Sequence, residues 1–155
     1  MWWRRLRYLL LLTALCAIAT CPAAKRSCTA KNHAEEADDL VGVLGDQVAK
    51  TVAATGRVPP APAALTPAAT CCDQGGTCQP DAKTFEDPAW RALAFSIDGP
   101  YLYQYQYIPD ASGLSATVRA VGDLNCDGKT SLYELELHVK GTSVTRTWHR
   151  TDPYE

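Results

Sequence analysis

Apolar residues recur every three or four positions between residues 32 and 55, which is the period of a helix with one buried face. The recurring apolar residues are Ala37, Leu40, Val41, Leu44, Val48 and Val52. Asn32 followed three residues later by Glu35 has the form of a capping box, and Gly56 followed by Pro59 and Pro60 ends the pattern. The sequence therefore predicts an amphipathic helix over 32–55 that needs a packing partner.

A second pattern, alternation of period two, begins at Tyr101 and is typical of antiparallel strands. It predicts four strands separated by short polar or glycine-containing turns, near 101–108, 114–120, 135–140 and 143–149. The fold class is predicted to be α+β, with the helix packed on a four-stranded antiparallel sheet. The alternating tyrosines fit one face of the sheet core, and a carbohydrate or partner platform is the alternative.

Two segments lie between the helix and the strands. Residues 56–70 are rich in proline and alanine and predict an extended crossing. Residues 71–155 then open with a cysteine-rich turn and continue into the sheet. A short helix or turn is expected at 87–93, since Pro88 suits the first helical position.

The N-terminal residues have the form of a secretory signal peptide over 1–20, followed by a linker over 21–31. Arginines precede an apolar run, 8–19, that would rise only about 18 Å as a helix, too little to cross a bilayer. The protein is therefore expected to be exported to the periplasm, the outer membrane or the medium. The stretch ending at Cys21 loosely resembles a lipobox, so Cys21 is a candidate for lipidation and for the only membrane attachment; otherwise it is a half-cystine or is lost with the signal.

Export makes the cysteines candidates for disulfide bonds. Apart from Cys21, the candidates are Cys28, Cys71, Cys72, Cys78 and Cys126. The adjacent pair is expected to reach in different directions, with Cys78 as one candidate partner across the turn 73–77. A zinc knuckle is the competing interpretation, but it lacks a paired C-x-x-C and a nearby histidine.

The sharpest motif spans residues 123–134 and matches the calcium loop D-x-[DN]-x-[DN]-G-x₅-E. Alternate oxygens would converge on one Ca²⁺, Gly128 would permit the sharp turn, and a glutamate would close the shell with both oxygens. The predicted ligands are Asp123, Asn125, Asp127, the carbonyl of Lys129, Ser131 and Glu134.

Two features set this loop apart from a helix-loop-helix hand. Thr130 stands where an aliphatic residue usually bridges paired loops, and strand patterns flank the loop. A lone extracellular loop of this kind is expected to bind with a Kd of about 10⁻⁴ to 10⁻³ M and to rigidify a β-hairpin. The alternative is a solvated turn, which Asp, Asn and Gly favour in any case.

Composition and charge narrow the function classes. With 155 residues the chain fits one domain, and its net charge of -2 becomes more negative once the N-terminal arginines are removed, which argues against nucleic-acid binding. The histidines His33, His138 and His149 have no partner at catalytic spacing, and Ser96 lacks a nucleophile elbow. The sequence therefore gives no support for an enzyme.

Four stretches in order, C-C-x-x-G-G-x-C at 71–78, W-x-x-L-x-F-S-I-D at 90–98, the tyrosine-rich 101–105 and G-D-L-N-C-D-G at 122–128, resemble the globular heads of type IV pilin-like proteins of myxobacterial type. The likeness covers roughly residues 57–138. It implies a pilin-like head in which the helix 32–55 corresponds to the amphipathic half of the family's long helix.

The chain departs from that family at its N-terminus, where it lacks the prepilin cleavage site and the long unbroken apolar helix. The resemblance therefore implies a pilin-like head exported without the fibre-forming helix, whose surface meets a protein component of the envelope or pilus. The second hypothesis is a stand-alone calcium-binding module or envelope lipoprotein in which the metal regulates partner binding.

Overall fold

The computed structural model describes residues 32–155, and its first element is a helix, α1, which covers 32–55. The residues on its inner side that are fully buried are Ala37, Val41, Leu44, Val48 and Val52. The helix ends at Gly56, whose φ of 72° is open to glycine and whose N–H donates to the Val52 carbonyl at 2.8 Å. The prediction of one long amphipathic helix is confirmed.

The strands form a single antiparallel sheet in the order β1-β2-β3-β4-β5. Their bounds are Ala63–Thr66 for β1, Gln104–Pro109 for β2, Ser115–Gly122 for β3, Ser131–Lys140 for β4 and Ser143–Thr151 for β5. One face of the sheet is buried along alternate residues of β3 and β4, and the other face is partly exposed. The α+β class is therefore confirmed.

The expected number of strands, four, is wrong because β1 lies inside the proline-rich crossing. Ala63 pairs with Tyr107 and Thr66 pairs with Tyr105, with a register shift between the two pairs. An edge strand needs hydrogen bonds on one side only, so a four-residue segment flanked by prolines is compatible with pairing. The extended conformation was predicted, and its pairing was missed.

The tyrosines of the alternating segment form the centre of the core. Tyr101, Tyr103, Tyr105 and Tyr107 are all buried, which identifies them as core residues and removes the alternative of an exposed platform. The strand itself begins later than expected, since Tyr101 makes only an isolated bridge with Cys78.

Besides its apolar inner side, α1 approaches β4 and β5 at one glycine and at two aspartates. A Cβ added at Gly45 would lie 2.5 Å from Leu135 Cδ2, so the glycine allows the helix to approach β4 closely. Toward β5 the contacts are ionic, with Arg146 Nη2 2.7 Å from Asp46 Oδ1 and Arg150 Nη2 2.8 Å from Asp38 Oδ1.

Glu36 connects α1 to the tyrosine segment. Its Oε1 accepts hydrogen bonds from the Leu102 N–H at 2.9 Å and from the Tyr105 hydroxyl at 3.2 Å. Burial raises the pKa of the Glu36 carboxyl, and these two hydrogen bonds oppose the rise without cancelling it. Burial also raises the pKa of Tyr105 well above its usual value.

A short helix, α2 (Pro88–Ala92), brings aromatic side chains to the core. The Asp87 carboxylate caps it by accepting the Ala89 N–H at 2.8 Å, and proline occupies its start as predicted. The indole of Trp90 donates to Thr66 Oγ1 at 3.0 Å and lies 5.7 Å, centroid to centroid, from the ring of Phe85 in an edge-on arrangement. The hydrogen bond from Trp90 to Thr66 holds α2 against β1.

Candidate metal site

The segment 123–130 joins β3 to β4 in the part of the chain that was predicted to bind calcium. Gly122 at the end of β3 and Ser131 at the start of β4 are direct partners in the ladder, so the loop closes a regular hairpin. Cys126 and Gly128 have φ of 59° and 90°, which is the left-handed conformation that turns the chain sharply. The glycine of the motif, Gly128, therefore lies at a position where the positive φ favours glycine.

The carboxylate of Asp123 lies at the centre of this loop. Its Oδ1 accepts the Asp127 N–H at 3.2 Å, and its Oδ2 accepts the Gly128 N–H at 2.8 Å. When a short acidic side chain accepts hydrogen bonds from backbone N–H groups further along the chain, the backbone curves around that side chain. Asp123 thus fixes the shape of the first half of the loop.

Asn125 and Asp127 follow the same principle and are exposed to solvent. Asn125 Oδ1 accepts the Asp127 N–H at 2.9 Å, and Asp127 Oδ1 accepts the Lys129 N–H at 2.9 Å. The Lys129 ammonium lies 3.8 Å from Asp127 Oδ2, which partly offsets the negative charge. These contacts bring the side-chain oxygens of Asp123, Asn125 and Asp127 into one small region.

A carboxylate that the sequence motif did not include also lies beside the loop. Asn125 Nδ2 donates to Glu155 Oε2 at 3.3 Å, and the segment that carries Glu155 is held near β4 because the Tyr133 hydroxyl donates to the Pro153 carbonyl. Nothing in the local sequence pattern signals this contact, since 30 residues separate Asn125 from Glu155.

Ser131, a predicted ligand, points into the protein. It is fully buried, and its Oγ donates to the Gly122 carbonyl at 3.1 Å.

The rings of Tyr103 and Tyr133 on the same side of the sheet lie 5.7 Å apart, centroid to centroid. The Tyr103 hydroxyl has no hydrogen-bond partner among residues 32–155, and burial raises its pKa above the usual value for tyrosine.

Glu134, the predicted closing ligand, lies on the opposite face of the sheet. It is the direct partner of Arg119 on β3, and Glu134 Oε1 is 3.8 Å from Arg119 Nη1. The same guanidinium donates through Nε to Gln106 Oε1 at 2.6 Å, so Arg119 joins three neighbouring strands. Glu134 is thus engaged in a cross-strand contact.

The six predicted ligands therefore separate into two groups. Asp123, Asn125 and Asp127, with the Lys129 carbonyl following them, offer hard oxygen donors that suit Ca²⁺. Ser131 and Glu134 point to opposite faces of β4, because the strand begins at Ser131 and side chains alternate along it. Within residues 32–155, no group of three or more His, Cys, Asp or Glu side chains is arranged to hold a metal ion. In this conformation Asp123, Asn125 and Asp127 lie together at the loop, whereas Ser131 and Glu134 are directed away from it.

Two disulfide bonds hold the loop and the cysteine-rich turn. Cys71 is bonded to Cys78 and Cys72 to Cys126, so the adjacent cysteines reach in different directions as predicted. The second bond ties the middle of the loop to a residue 54 positions earlier. Cys21 and Cys28 lie outside the described residues, as do the predicted signal peptide and linker.

The histidines on the outer face of the sheet surround one carboxylate. His138 Nε2 is 3.9 Å and His149 Nε2 is 3.6 Å from Glu136 Oε2, and all three side chains are about half exposed. His33 lies on α1. A shallow cavity of about 380 Å³ on this face is lined by Glu136, His138 and Ile108, among others.

Comparisons with known proteins give no relative. No protein-family model matches the chain, no curated protein has a matching sequence, and no solved structure matches it. In the described part of the chain, no helix is both long enough and apolar enough to cross a membrane. The likeness to pilin heads stays a prediction from the motifs.

Proposed function

We propose that this protein is an exported, non-enzymatic domain of pilin-head type, that its loop 123–129 binds Ca²⁺, and that its surface interacts with envelope or pilus components. The observation that carries the calcium proposal is the arrangement around Asp123. Its carboxylate shapes the loop, and Asn125 and Asp127 present further oxygens at the surface close by.

The proposed ligands are side-chain oxygens of Asp123, Asn125 and Asp127 and the Lys129 carbonyl. The carboxylates of Asp123 and Asp127 lie close together and repel each other. Without a metal ion, the Lys129 ammonium offsets the charge of Asp127. A divalent cation would neutralise both carboxylates at once, and water would complete its shell. With so few charged ligands on an exposed loop, we expect weak affinity, with a Kd of about 10⁻⁴ to 10⁻³ M.

Export is supported by the two disulfide bonds, since such bonds persist mainly in oxidising compartments. The pilin-head type is supported by a long amphipathic helix on an antiparallel sheet, with a disulfide-bonded turn between them. Calcium would act here as a clamp on the β3–β4 hairpin, beside the covalent tie of Cys126. A protein component of the envelope or pilus remains the proposed partner.

The ion pair between Glu134 and Arg119 favours a second candidate, a calcium-regulated module. Glu134 could complete the metal shell only by leaving Arg119, which also contacts Gln106 on β2. Ca²⁺ binding would then change the side-chain contacts on the outer face of the sheet, and a partner that binds this face would respond to the change. A clamp predicts a higher melting temperature with unchanged shape, whereas a regulated module predicts altered contacts on that face.

The test is calorimetric titration of the oxidised protein, purified after expression of the full chain, with Ca²⁺ and with Mg²⁺ as the comparison ion. Asp127→Asn removes one charge and keeps an oxygen that can accept the Lys129 N–H, so the fold of the loop is preserved. The matched control is Asp39→Asn, an exposed change on α1 outside the loop. We expect one Ca²⁺ site that Asp127→Asn weakens by about tenfold or more and Asp39→Asn leaves unchanged.

Glu134→Gln separates the two candidates in the same titration. If Glu134→Gln lowers Ca²⁺ affinity as much as Asp127→Asn does, Glu134 turns to the metal. If it leaves Ca²⁺ affinity unchanged, the site is confined to the first half of the loop. Ser131→Ala is expected to have the smaller effect on affinity, because its oxygen is buried. Absence of saturable binding up to about 10 mM Ca²⁺ would overturn the calcium proposal and leave the segment as a turn.

A further inference from the structure

The two disulfide bonds within residues 32–155 differ in their exposure to solvent. Cys71 and Cys78 are buried, with 5% and 0% of their surface exposed, and both belong to the hydrophobic core. In the other bond, Cys126 is an exposed residue and Cys72 is half-buried. A thiol reacts with a disulfide only where it can reach one of the sulfur atoms. Of these two bonds, the one between Cys72 and Cys126 is therefore open to exchange with a small thiol.

Backbone pairing encloses the buried bond further. The Cys78 N–H donates to the Tyr101 carbonyl at 2.9 Å, and the Tyr101 N–H donates to the Cys78 carbonyl at 3.1 Å. Cys71 Sγ lies 3.7 Å from the same Tyr101 carbonyl oxygen, and Tyr101 is itself buried. A thiol can therefore reach this bond only after the core around Tyr101 has opened.

The half-buried sulfur of the exposed bond lies against the loop. Cys72 Sγ is 3.0 Å from the carbonyl oxygen of Asp123, and Cys126 Sγ is 3.9 Å from the same oxygen. A disulfide sulfur carries no proton, whereas a thiol is a weak hydrogen-bond donor. If the bond opens and Cys72 becomes a thiol, an acceptor for its S–H is therefore already in position.

Acidic side chains surround the exposed sulfur. Asp127 is the next residue after Cys126, Asp123 lies three residues before it, and Glu155 lies beside the loop. Lys129 supplies the only positive side chain of the loop. Such a surface attracts cationic reagents and repels anionic ones, and salt screens both effects.

We propose that Cys126 Sγ is a thiol-exchange site that takes small thiols, cationic ones in preference to anionic ones. The thiolate form of the reagent attacks Cys126 Sγ and forms a mixed disulfide there. The bond to Cys72 breaks, its electron pair stays on Cys72 Sγ, and a proton from water converts that sulfur to a thiol. One disulfide bond forms for each one that breaks, so the step requires no oxidant or reductant beyond the thiol itself.

Exchange at this site would release the loop from the cysteine-rich turn. Because Cys126 stands between Asn125 and Asp127, the backbone that carries these two side chains would lose its covalent tie. Strands β3 and β4 would stay paired, since their ladder does not include the disulfide. The inference concerns the disulfide bond alone and does not depend on metal binding.

The test uses the oxidised protein, purified after expression of the full chain, with any free thiols first blocked by N-ethylmaleimide. The folded protein is treated with about 1 mM cysteamine, quenched with acid and mapped by peptide mass spectrometry. We expect the first adduct on Cys126, and reaction at Cys71 or Cys78 slower by about tenfold or more. In denaturing guanidinium both bonds are expected to react, which provides the control for burial. Absence of an adduct in the folded protein, or first reaction at Cys72, Cys71 or Cys78, would overturn the proposal.

Asp127→Asn tests the preference for cationic thiols, since it removes one carboxylate next to the reacting residue. The measurement is the ratio of the exchange rate with cysteamine, a cation, to that with mercaptoacetate, an anion. We expect Asp127→Asn to lower this ratio about twofold or more. Asp39→Asn, the same change at an exposed position on α1, should leave the ratio unchanged. An equal ratio in Asp127→Asn and the parent chain would overturn the proposed preference.

Discussion

The surface where α1 meets the sheet and the loop 123–130 are stabilised by different interactions. At the first, Val41, Leu44 and Leu135 are fully removed from water and belong to one core cluster that joins the helix to the sheet. At the second, most side chains are exposed, and the hydrogen bonds of Asp123 join residues four and five positions apart. One disulfide bond, from Cys126 to Cys72, supplies the covalent long-range tie at the loop.

The two regions are therefore sensitive to different kinds of substitution. Close packing responds to volume, because neighbouring atoms leave little space for an added methyl group. A loop held by local hydrogen bonds and one covalent tie responds to loss of that tie.

The largest effect is expected from removing the tie. Cys72→Ala with Cys126→Ala opens a covalent loop of 54 residues, and the chain-entropy model gives a loss of about 4 kcal/mol in the free energy of unfolding. The matched pair Cys71→Ala with Cys78→Ala opens a loop of only 7 residues, for which the model gives about 2 kcal/mol. Urea denaturation of both variants measures the difference. A larger loss for the short loop would mean that packing of Cys71 and Cys78 outweighs chain entropy.

Two glycines on α1 should respond to the same substitution with opposite signs. Gly42→Ala meets no atom within 4 Å and gains helix propensity, so unfolding should require about 1 kcal/mol more free energy. Gly45→Ala places its Cβ 2.5 Å from Leu135 Cδ2, so we expect a net loss of about 1 kcal/mol despite the gain in propensity. Thermal denaturation is the measurement. Stabilisation by both substitutions would show that Leu135 moves aside without cost.

The pH dependence of stability should change with Glu36→Gln. Burial raises the pKa of Glu36 above 4.5, so the unfolded chain loses this proton first, and the folded state loses stability as pH rises from about 4.5 through the folded-state pKa. The uncharged variant should lack this decline and show a flatter profile toward neutral pH. Glu35→Gln, an exposed change one residue away, is the control. Identical profiles for all three proteins would contradict the assignment.

The smallest effect is expected for the ion pairs between α1 and β5. Arg150 and Asp38 are both partly exposed, so their coupling in a double-mutant cycle of Arg150→Ala and Asp38→Asn should stay below about 1 kcal/mol. Added salt should reduce it further. A coupling of several kcal/mol would place these charges among the main determinants of helix docking.

The helix and the α+β class could be predicted because the spacing of apolar residues along the sequence directly reflects which side chains are buried. The strand β1 could not, since Ala63–Thr66 is too short to show alternation and prolines surround it. Its pairing depends on β2, which lies some 40 residues later in the chain. Periodicity carries no information about such distant partners.

The candidate site shows a related limit. The motif placed a turn with its glycine at 128, and the structure has that turn. The alternating pattern predicted that the next strand begins near Leu135, whereas β4 begins at Ser131. This earlier start directs Ser131 inward and Glu134 outward, so strand register decides the orientation of two predicted ligands. The contact with Glu155 depends on tertiary folding alone.

The bond between Cys72 and Cys126 has a mechanical consequence. If tension is applied at the two ends of the described chain, the residues between these cysteines cannot extend, so the load passes through the disulfide. Unfolding under force would then release a contour length shorter by roughly 190 Å than in the reduced protein, taking 54 residues at about 3.6 Å each. Strands β2 and β3 would be shielded from the pulling force even after α1 has detached.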